Sequence, residues 1–307
     1  METEKKEDRK PTVHISVLLN EVLNVLAIAP SDYVVDGTLG GGGHAKKILE
    51  LLGTDGRYLG IDADENAIER VREMLPNEER ITYALGNFRD MKVHVEETGF
   101  SKVSKILIDL GLSSDQLESD DRRGFSFKKD DPLKMTFTQD PAKGTLTAWH
   151  VVNEWSEESL ADIIFGFGGE KKSRKIAKII CETREKENIK TSKQLAELIE
   201  ASISRRKGIH PATKTFQAIR MAVNDELGAL EEVLRQSKTL LENKGRIAII
   251  SFHSLEDRIV KRTFREWENE GFGIRVTKRP LIPSREECKH NKRARSAKLR
   301  CFEKRGD

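Results

Sequence analysis

The stretch YVVDGTLGGGGHA, residues 33–45, places four consecutive glycines close behind a short apolar run. Glycine is favoured where the backbone needs positive φ or where a ligand lies directly against the main chain, and its use costs folding entropy. The residues that follow, 45–52, have the apolar spacing of a helix. A strand, a glycine loop and a helix in this order predict an α/β fold with a ligand-binding loop.

Short apolar runs recur on either side of this stretch and extend the same pattern. They lie at 58–62, 81–87 and 105–111, with a helical pattern at 65–75 and a strongly apolar run at 246–253 before a helix that starts near Ser254. Strands alternating with helices predict a doubly wound, mostly parallel sheet, whose ligands bind at the carboxyl ends of the strands.

The alternation stops after Leu112 and resumes only near Thr213. Helical patterns at 157–165, 174–186 and 192–204 occupy the interval without a convincing strand. We therefore predict a helical insertion over residues 113–211, between the two parts of a discontinuous sheet domain, 1–112 and 212–307. From Thr213 the apolar spacing predicts one continuous amphipathic helix that stops at residues 243–245.

Composition limits the class of protein. The 307 residues are 37% hydrophobic and 34% charged, and no apolar run approaches the roughly 20 residues of a membrane span. The charged N-terminus lacks the apolar region of a secretory signal, which predicts a cytoplasmic protein. Cys181, Cys288 and Cys301 are far apart and form no CxxC pair, so neither a disulfide framework nor a zinc site is expected.

Positive charge is concentrated near the C-terminus, although the formal net charge is only +3. Residues 275–305 carry twelve lysines and arginines against three glutamates. Such a density is typical of a surface that contacts a phosphate backbone. A solvated basic tail is the alternative interpretation.

Three ligands suit a glycine loop between a first strand and a first helix. A phosphate-binding P-loop would require a lysine and a hydroxyl after the last glycine, where this chain has His44 and Ala45. The GxGxxG spacing of dinucleotide folds is also not in register. The third ligand, S-adenosylmethionine, places its amino-acid end and ribose against such a loop without any phosphate.

Polar residues at the predicted strand ends favour the third ligand. Asp36 and Asp62 end the first two strands, and the carboxylate of Asp62 could accept hydrogen bonds from both ribose hydroxyls, as it would also in an NAD-binding fold. Asn87 and Phe88 follow the third strand, where they could contact adenine, although Phe88 could equally be a core aromatic. Asp109 ends the fourth strand near the expected methyl group, unless it only caps a turn.

With these residues assembled, the chain resembles the RsmH (MraW) family of 16S ribosomal RNA cytosine-N4 methyltransferases. The resemblance is carried by nine motifs: HISVLLNEVL (14–23), GTLGGGGH (37–44), GID (60–62), GNF (86–88), DLGLSS (109–114), RGFSF (123–127), HPATKTFQAIRMAVNDEL (210–227), SFHSLEDRIVK (251–261) and RARSAKLR (293–300). It implies a class I S-adenosylmethionine-dependent, Rossmann-like methyltransferase domain with an inserted all-helical substrate-recognition domain. The implied substrate is cytosine 1402 of the decoding centre, within the small ribosomal subunit.

The resemblance also implies specific ligand contacts. The cofactor contacts of the family fall on Gly42, Gly43, His44, Asp62, Phe88, Asp109 and Gln116. One segment departs from the family pattern, since PLKMTFTQD has Lys134 and Thr136 where an aspartate and an arginine are usual, with altered spacing before Asp140. This departure affects the expected RNA contacts rather than the reaction.

The mechanism suggests further roles, none of which requires a metal. Asp109, or a carbonyl of the turn at 110–113, is our hypothesis for the group that accepts a proton from cytosine N4. The residues expected near the target base or its flanking phosphates are Ser113, Ser251, His253, Arg293, Arg295 and 205–207. His253 could instead be a satisfied strand-end histidine.

Charge reversal at Arg293 and Arg295 is expected to weaken RNA binding without changing donor affinity. Two alternative functions remain at this point: a methyltransferase acting on another nucleic acid or on protein, and a non-catalytic RNA-binding ribosome assembly factor. The sequence does not indicate an oligomeric state.

Overall fold

A seven-stranded sheet forms the centre of the computed structural model, which describes residues 16–111, 122–127, 129–139, 141–203 and 210–306. The strands are β1 (Tyr33–Asp36), β2 (Arg57–Asp62), β3 (Ile81–Leu85), β4 (Val103–Asp109), β5 (Leu241–Ser251), β6 (Gly273–Arg275) and β7 (Lys298–Lys304). Their order is β3-β2-β1-β4-β5-β7-β6. The first five run parallel as predicted, whereas β7 pairs antiparallel with both β5 and β6.

Helices connect and cover these strands. They are α1 (Leu19–Leu26), α2 (Gly43–Leu51), α3 (Glu65–Met74), α4 (Met91–Glu97), α5 (Ala148–Glu154), α6 (Glu157–Gly166), α7 (Ser173–Arg184), α8 (Ser192–Ser202), α9 (Thr213–Asn224), α10 (Glu226–Leu240), α11 (Ser254–Asn269) and α12 (Arg285–His290). Two short 3₁₀ turns, Phe88–Asp90 and Lys292–Ser296, complete the regular structure of the described chain.

Side chains alternate between the two faces of the sheet, as the period of a strand requires. In β1, Val34 belongs to a buried cluster with α1, α2 and α3, whereas Val35 belongs to a second cluster with α4, α10 and α11. The same alternation occurs in β4 at Leu107 and Ile108. Both faces are therefore covered by helices, which explains why these strands are almost uniformly apolar.

A third buried cluster lies outside the sheet. It is formed by apolar residues from Phe125 to Ile219, which include the buried faces of α5 to α9. The three predicted helical stretches of the insertion are present as α6, α7 and α8, and the sequence missed α5. Thr147 precedes helix α5 and forms a capping box with His150, the third residue of the helix. A glutamate or glutamine is usual at that position.

The predicted continuous helix from Thr213 is wrong at one position. Asp225 has φ of 45°, a left-handed conformation that ends α9 and precedes α10. The guanidinium of Arg89 binds its carboxylate at 2.6 Å. Packing also changes here, because Phe216 of α9 belongs to the helical cluster and Leu230 of α10 to the sheet.

Part of the predicted basic surface is strand β7. Lys298 and Arg300 donate to the carboxylate of Asp257 at 3.1 and 2.7 Å, and Arg275 pairs with Glu268 at 2.6 Å. These cations stabilise the fold, so the basic segment is only in part an open surface. Among the helices of the described residues, none has both the length and the apolarity to cross a membrane.

Candidate active site

A cavity lies at the carboxyl ends of the parallel strands, where β1 leads into the glycine loop. Six of the predicted cofactor contacts line it together: Gly42, Gly43, His44, Asp62, Phe88 and Asp109. The seventh, Gln116, lies outside the described residues. The position of the cavity follows from the topology, because all parallel strands present their carboxyl ends at one edge.

Gly42 allows the tight turn of the glycine loop, because its backbone has positive φ and a side chain there would clash. Gly42 has φ of +72°, and a Cβ there would lie 2.7 Å from Val71. Beneath the loop, the buried carboxylate of Asp36 accepts hydrogen bonds from the backbone N–H of Thr38 at 2.9 Å and from the Tyr58 hydroxyl at 2.7 Å. Asp36 therefore shapes the loop from below and is not among the residues that line the cavity.

Asp62 fixes the loop from the end of β2. One carboxylate oxygen accepts the N–H of Gly40 at 2.7 Å, and the other accepts the N–H of Asp64 at 2.9 Å. Burial raises the pKa of Asp62 to about 6, against the opposing effect of these two hydrogen bonds. Each oxygen keeps a second lone pair, so the carboxylate can still accept hydroxyl donors from a ligand.

Asp109 lies at the end of β4, and its N–H donates to the Thr38 hydroxyl at 2.7 Å. Burial, with smaller effects of Asp36 and Glu256, raises its pKa to about 8, although the positive charge of Arg293 opposes the shift. Its Oδ1 atom has no hydrogen-bond partner within the described chain. A buried carboxyl with a pKa near neutrality suits proton transfer.

His44 connects Asp109 to the N-terminal segment. Its Nε2 lies 3.1 Å from the carbonyl oxygen of Val17, and its Nδ1 lies 4.0 Å from Oδ2 of Asp109. A carbonyl only accepts, so Nε2 carries a hydrogen and donates it to Val17. His44, which the glycine pattern alone did not indicate, thus positions Val17 beside the cavity.

Aromatic side chains form part of the cavity lining. Phe88 and Asn87 follow β3, and Phe137 reaches the cavity from the loop that precedes the helical cluster. Asn224 accepts a hydrogen bond from the backbone N–H of Phe137 at 2.9 Å, and Arg123 donates to the Phe137 carbonyl at 2.7 Å. An aromatic ring can stack on a flat base, which is the role expected for Phe88; sequence reasoning missed Phe137.

The loop that carries Phe137 is also tied to the sheet by a buried ion pair. Arg123 donates to Asp64 at 2.9 Å, and both side chains are 1% exposed. Thr136, one of the two departures from the family pattern, is buried and donates to the Thr138 carbonyl at 2.8 Å. Thr136 therefore stabilises this loop from within; no described contact explains the Lys134 side chain, and Asp140 lies outside the described residues.

The residues predicted to contact RNA are dispersed. Ser251 is buried beside β7, with its hydroxyl 3.4 Å from the carbonyl of Lys298, and does not line the cavity. Arg293 does line it, whereas Arg295 is exposed outside. Ser113 and residues 205–207 lie outside the described parts of the chain.

His253 caps α11 rather than lining the cavity. It forms a capping box with Glu256, and its Nε2 lies 2.9 Å from Oε1 of that residue. Ligand atoms of Glu226, His253 and Glu256 lie within 4.8 Å of one another, a spacing that could hold a metal ion. Arg220 already binds both oxygens of Glu226, at 2.7 and 2.9 Å, so we assign the cluster to an ion-pair network.

Several cavity residues carried no local signal in the sequence. Ser16, Val17, Glu226 and Asn291 come from distant segments and meet only in the folded chain. Ser16 and Val17 do belong to the HISVLLNEVL motif, yet nothing in their residue types indicates a ligand. Only the motif as a whole could have directed attention to them.

The mixed seven-stranded sheet and its glycine-loop cavity define a class I, Rossmann-like methyltransferase fold. The chain belongs to the MraW methylase family, whose model matches residues 11–305. It is therefore a methyltransferase, and the family predicted from the motifs is confirmed.

Two relatives agree with this assignment. Ribosomal RNA small subunit methyltransferase H of Brevibacillus brevis is 43% identical over 95% of this chain and 98% of its own. The protein of the same name from Deinococcus deserti is 47% identical over 95% and 93%. An rRNA methylase structure from Streptococcus thermophilus is similar over 95% of this chain and 98% of its own, at 11% identity and with a TM-score of 0.44.

Proposed function

We propose that the protein transfers a methyl group from S-adenosylmethionine to N4 of cytosine 1402 in 16S ribosomal RNA. The observation that carries the donor assignment is the presence of two acids in the cavity. Asp62 and Asp109 line it, and neither has a lysine or arginine within ion-pair distance in the described chain. Such carboxylates suit a ligand with ribose hydroxyls and positive charge. S-adenosylmethionine carries both a sulfonium and an ammonium group.

The substrate assignment rests on the family resemblance and on the names of the relatives, which are ribosomal RNA small subunit methyltransferases. A cytosine base could reach the cavity only after leaving its stack, because the reacting edge is otherwise inside a helix. Exposed cations near the C-terminus could hold the flanking phosphates: Lys278, Arg279, Arg285, Lys289, Lys292, Arg295 and Arg305. A ribosomal substrate would place the enzyme in the cytoplasm.

The domain division is also a proposal. The inserted helical cluster would form the substrate-recognition domain, and the change of packing at Asp225 favours an insertion that includes α9. The loop with Phe137 joins this cluster to the cavity. We propose that the cluster positions RNA above the donor site, together with residues 205–207.

In the proposed reaction, S-adenosylmethionine supplies an electrophilic methyl carbon on a positively charged sulfur. The lone pair of cytosine N4 is delocalised into the ring, so removal of an N4 proton would assist the nitrogen as its bond to the methyl carbon forms. The bond between that carbon and sulfur would break, and the sulfur would leave as a neutral thioether. Asp109 accepts the N4 proton. Its raised pKa leaves it partly protonated in the free protein, and a nearby positive charge favours its ionised, proton-accepting form.

The test is transfer of tritium from labelled S-adenosylmethionine to isolated small ribosomal subunits, followed by mapping of the labelled base. Label on N4 of cytosine 1402 is the expected result. Label on another nucleotide or on protein would replace the substrate assignment. Tight association with the subunit but no transfer, by protein shown to bind the donor, would favour an assembly factor.

A further inference from the structure

The N-terminus of α2 opens into the cavity without a side-chain cap. Its N-cap residue is Gly42, no side chain caps it, and no acidic residue lies in its first turn. The first backbone N–H groups of a helix lack partners within the helix and carry partial positive charge. Gly42 and Gly43, which begin the helix, both line the cavity.

A buried hydroxyl lies directly over this helix end. Ser16 is 7% exposed, lines the same cavity, and its Oγ atom has no hydrogen-bond partner within the described chain. A Cβ built on Gly43 would lie 2.0 Å from that oxygen. A larger residue at Gly43 would therefore displace the Ser16 hydroxyl. Buried hydroxyls are rarely left without a partner, so a ligand group is expected here.

The segment next to Ser16 is fixed by contacts from two sides. The Val17 carbonyl contacts Nε2 of His44 at 3.1 Å, and the Leu18 N–H donates to Glu287 at 2.8 Å. The position of the hydroxyl is therefore determined by the folded chain before any ligand arrives.

We propose that Ser16 and the N-terminus of α2 together bind the carboxylate of the methionyl end of S-adenosylmethionine. A hydroxyl and backbone N–H groups can all donate to an anion, and the helix end attracts negative charge. An ammonium group would be repelled by the helix end, whereas the carboxylates of Asp62 and Asp109 in the same cavity suit it. This inference rests on the proposed donor and adds a direct ligand contact at Ser16.

The test compares Ser16→Ala with the wild-type protein by calorimetric titration of two ligands, S-adenosylmethionine and its decarboxylated analogue. The variant should bind S-adenosylmethionine about tenfold more weakly, as expected for a lost hydrogen bond to a charged group. Its affinity for the decarboxylated analogue should equal that of the wild type.

The matched control is Ser237→Ala, which removes another buried hydroxyl. Ser237 donates to the Val233 carbonyl within α10 and is not part of the cavity, so its variant should bind both ligands normally. The titration also gives the fraction of active protein, and the ratio of the two affinities does not depend on that fraction.

Equal weakening of both ligands, or of neither, would overturn the role of Ser16 while leaving the donor assignment in place. A wild-type protein that binds neither ligand would instead overturn the proposed donor itself.

Discussion

Partly buried acids lie in two regions of the molecule, and their pKa values shift in opposite directions. In the cavity, burial raises the pKa of Asp62 to about 6 and that of Asp109 to about 8. In the C-terminal region, burial acts on Asp257 in the same direction, but hydrogen bonds from Arg300 and Lys298 outweigh it and lower the pKa. The pKa shifts differ because Arg300 and Lys298 donate hydrogen bonds to Asp257, whereas no lysine or arginine of the described chain donates one to Asp62 or Asp109.

Acids that pair with a cation of the chain differ in role from acids that do not. An acid paired with arginine, such as Asp257 or Asp64, joins two segments of the chain. An acid held in a site of low polarity without a cation makes folding less favourable. Asp62 and Asp109 are such acids and both line the cavity, so we place them in the proposed ligand site.

The largest expected effect is that of Asp109→Asn on turnover. Loss of a general base typically lowers the rate by roughly 10²–10⁴-fold, and the amide cannot accept the proton from N4. The measurement is single-turnover methyl transfer to small subunits at saturating donor, with donor affinity determined separately by titration. Full turnover with normal donor binding would show that Asp109 is not the acceptor.

The next largest effect is expected at the buried ion pair between Arg123 and Asp64. Arg123→Met removes one member of the buried ion pair with Asp64, together with the hydrogen bond to the Phe137 carbonyl, which should lower the free energy of unfolding by about 3 kcal/mol. Urea unfolding provides the measurement. The control Lys47→Met breaks the exposed pair with Glu50 and should cost less than about 1 kcal/mol. Similar losses in both variants would mean that burial does not distinguish these pairs.

A smaller effect of opposite sign is expected from Asp109→Asn on stability. The pKa of Asp109 is higher in the folded than in the unfolded state, so its ionisation penalises folding increasingly as pH rises from about 4 to about 8. Without ligand, the variant should be more stable than the wild type at pH 8, and nearly equal at pH 4. Urea unfolding at both pH values tests this; a variant less stable at pH 8 would contradict it.

Much of this site could be predicted from the sequence because the order of the strands determines where their last residues lie. Asp62 and Asp109 follow apolar runs, and a parallel sheet brings such strand ends to one edge. Ser16, Phe137 and Glu226 could not be located in this way, since they reach the cavity from segments whose positions depend on tertiary packing.

Two errors have the same physical origin. The apolar stripe continues through Asp225, so periodicity alone could not show that this residue is left-handed and bound to Arg89. Strand β7 was missed, and Lys298 and Arg300 resembled surface cations because their partner Asp257 is more than 40 residues away in the chain. The local sequence pattern predicts which face of a helix or strand is apolar. It does not predict which distant residue pairs with a charged side chain.

The smallest expected effect separates two neighbouring arginines. Arg295 is exposed, and Arg295→Glu should weaken RNA binding a few-fold, reduce the salt dependence by about one charge and leave donor affinity unchanged. Arg293 lines the cavity, and its charge lowers the pKa of Asp109. Arg293→Glu should therefore alter donor binding as well, which revises the sequence-based expectation that donor affinity is unaffected by both changes.

The measurement is parallel titration of each variant with S-adenosylmethionine and with a small-subunit RNA fragment at two salt concentrations. If both variants lost only RNA affinity, Arg293 would belong to the same outer surface as Arg295. The unpaired acids of the cavity would then have no arginine that modulates them. A split between the variants would place the boundary between ligand site and RNA surface between residues 293 and 295.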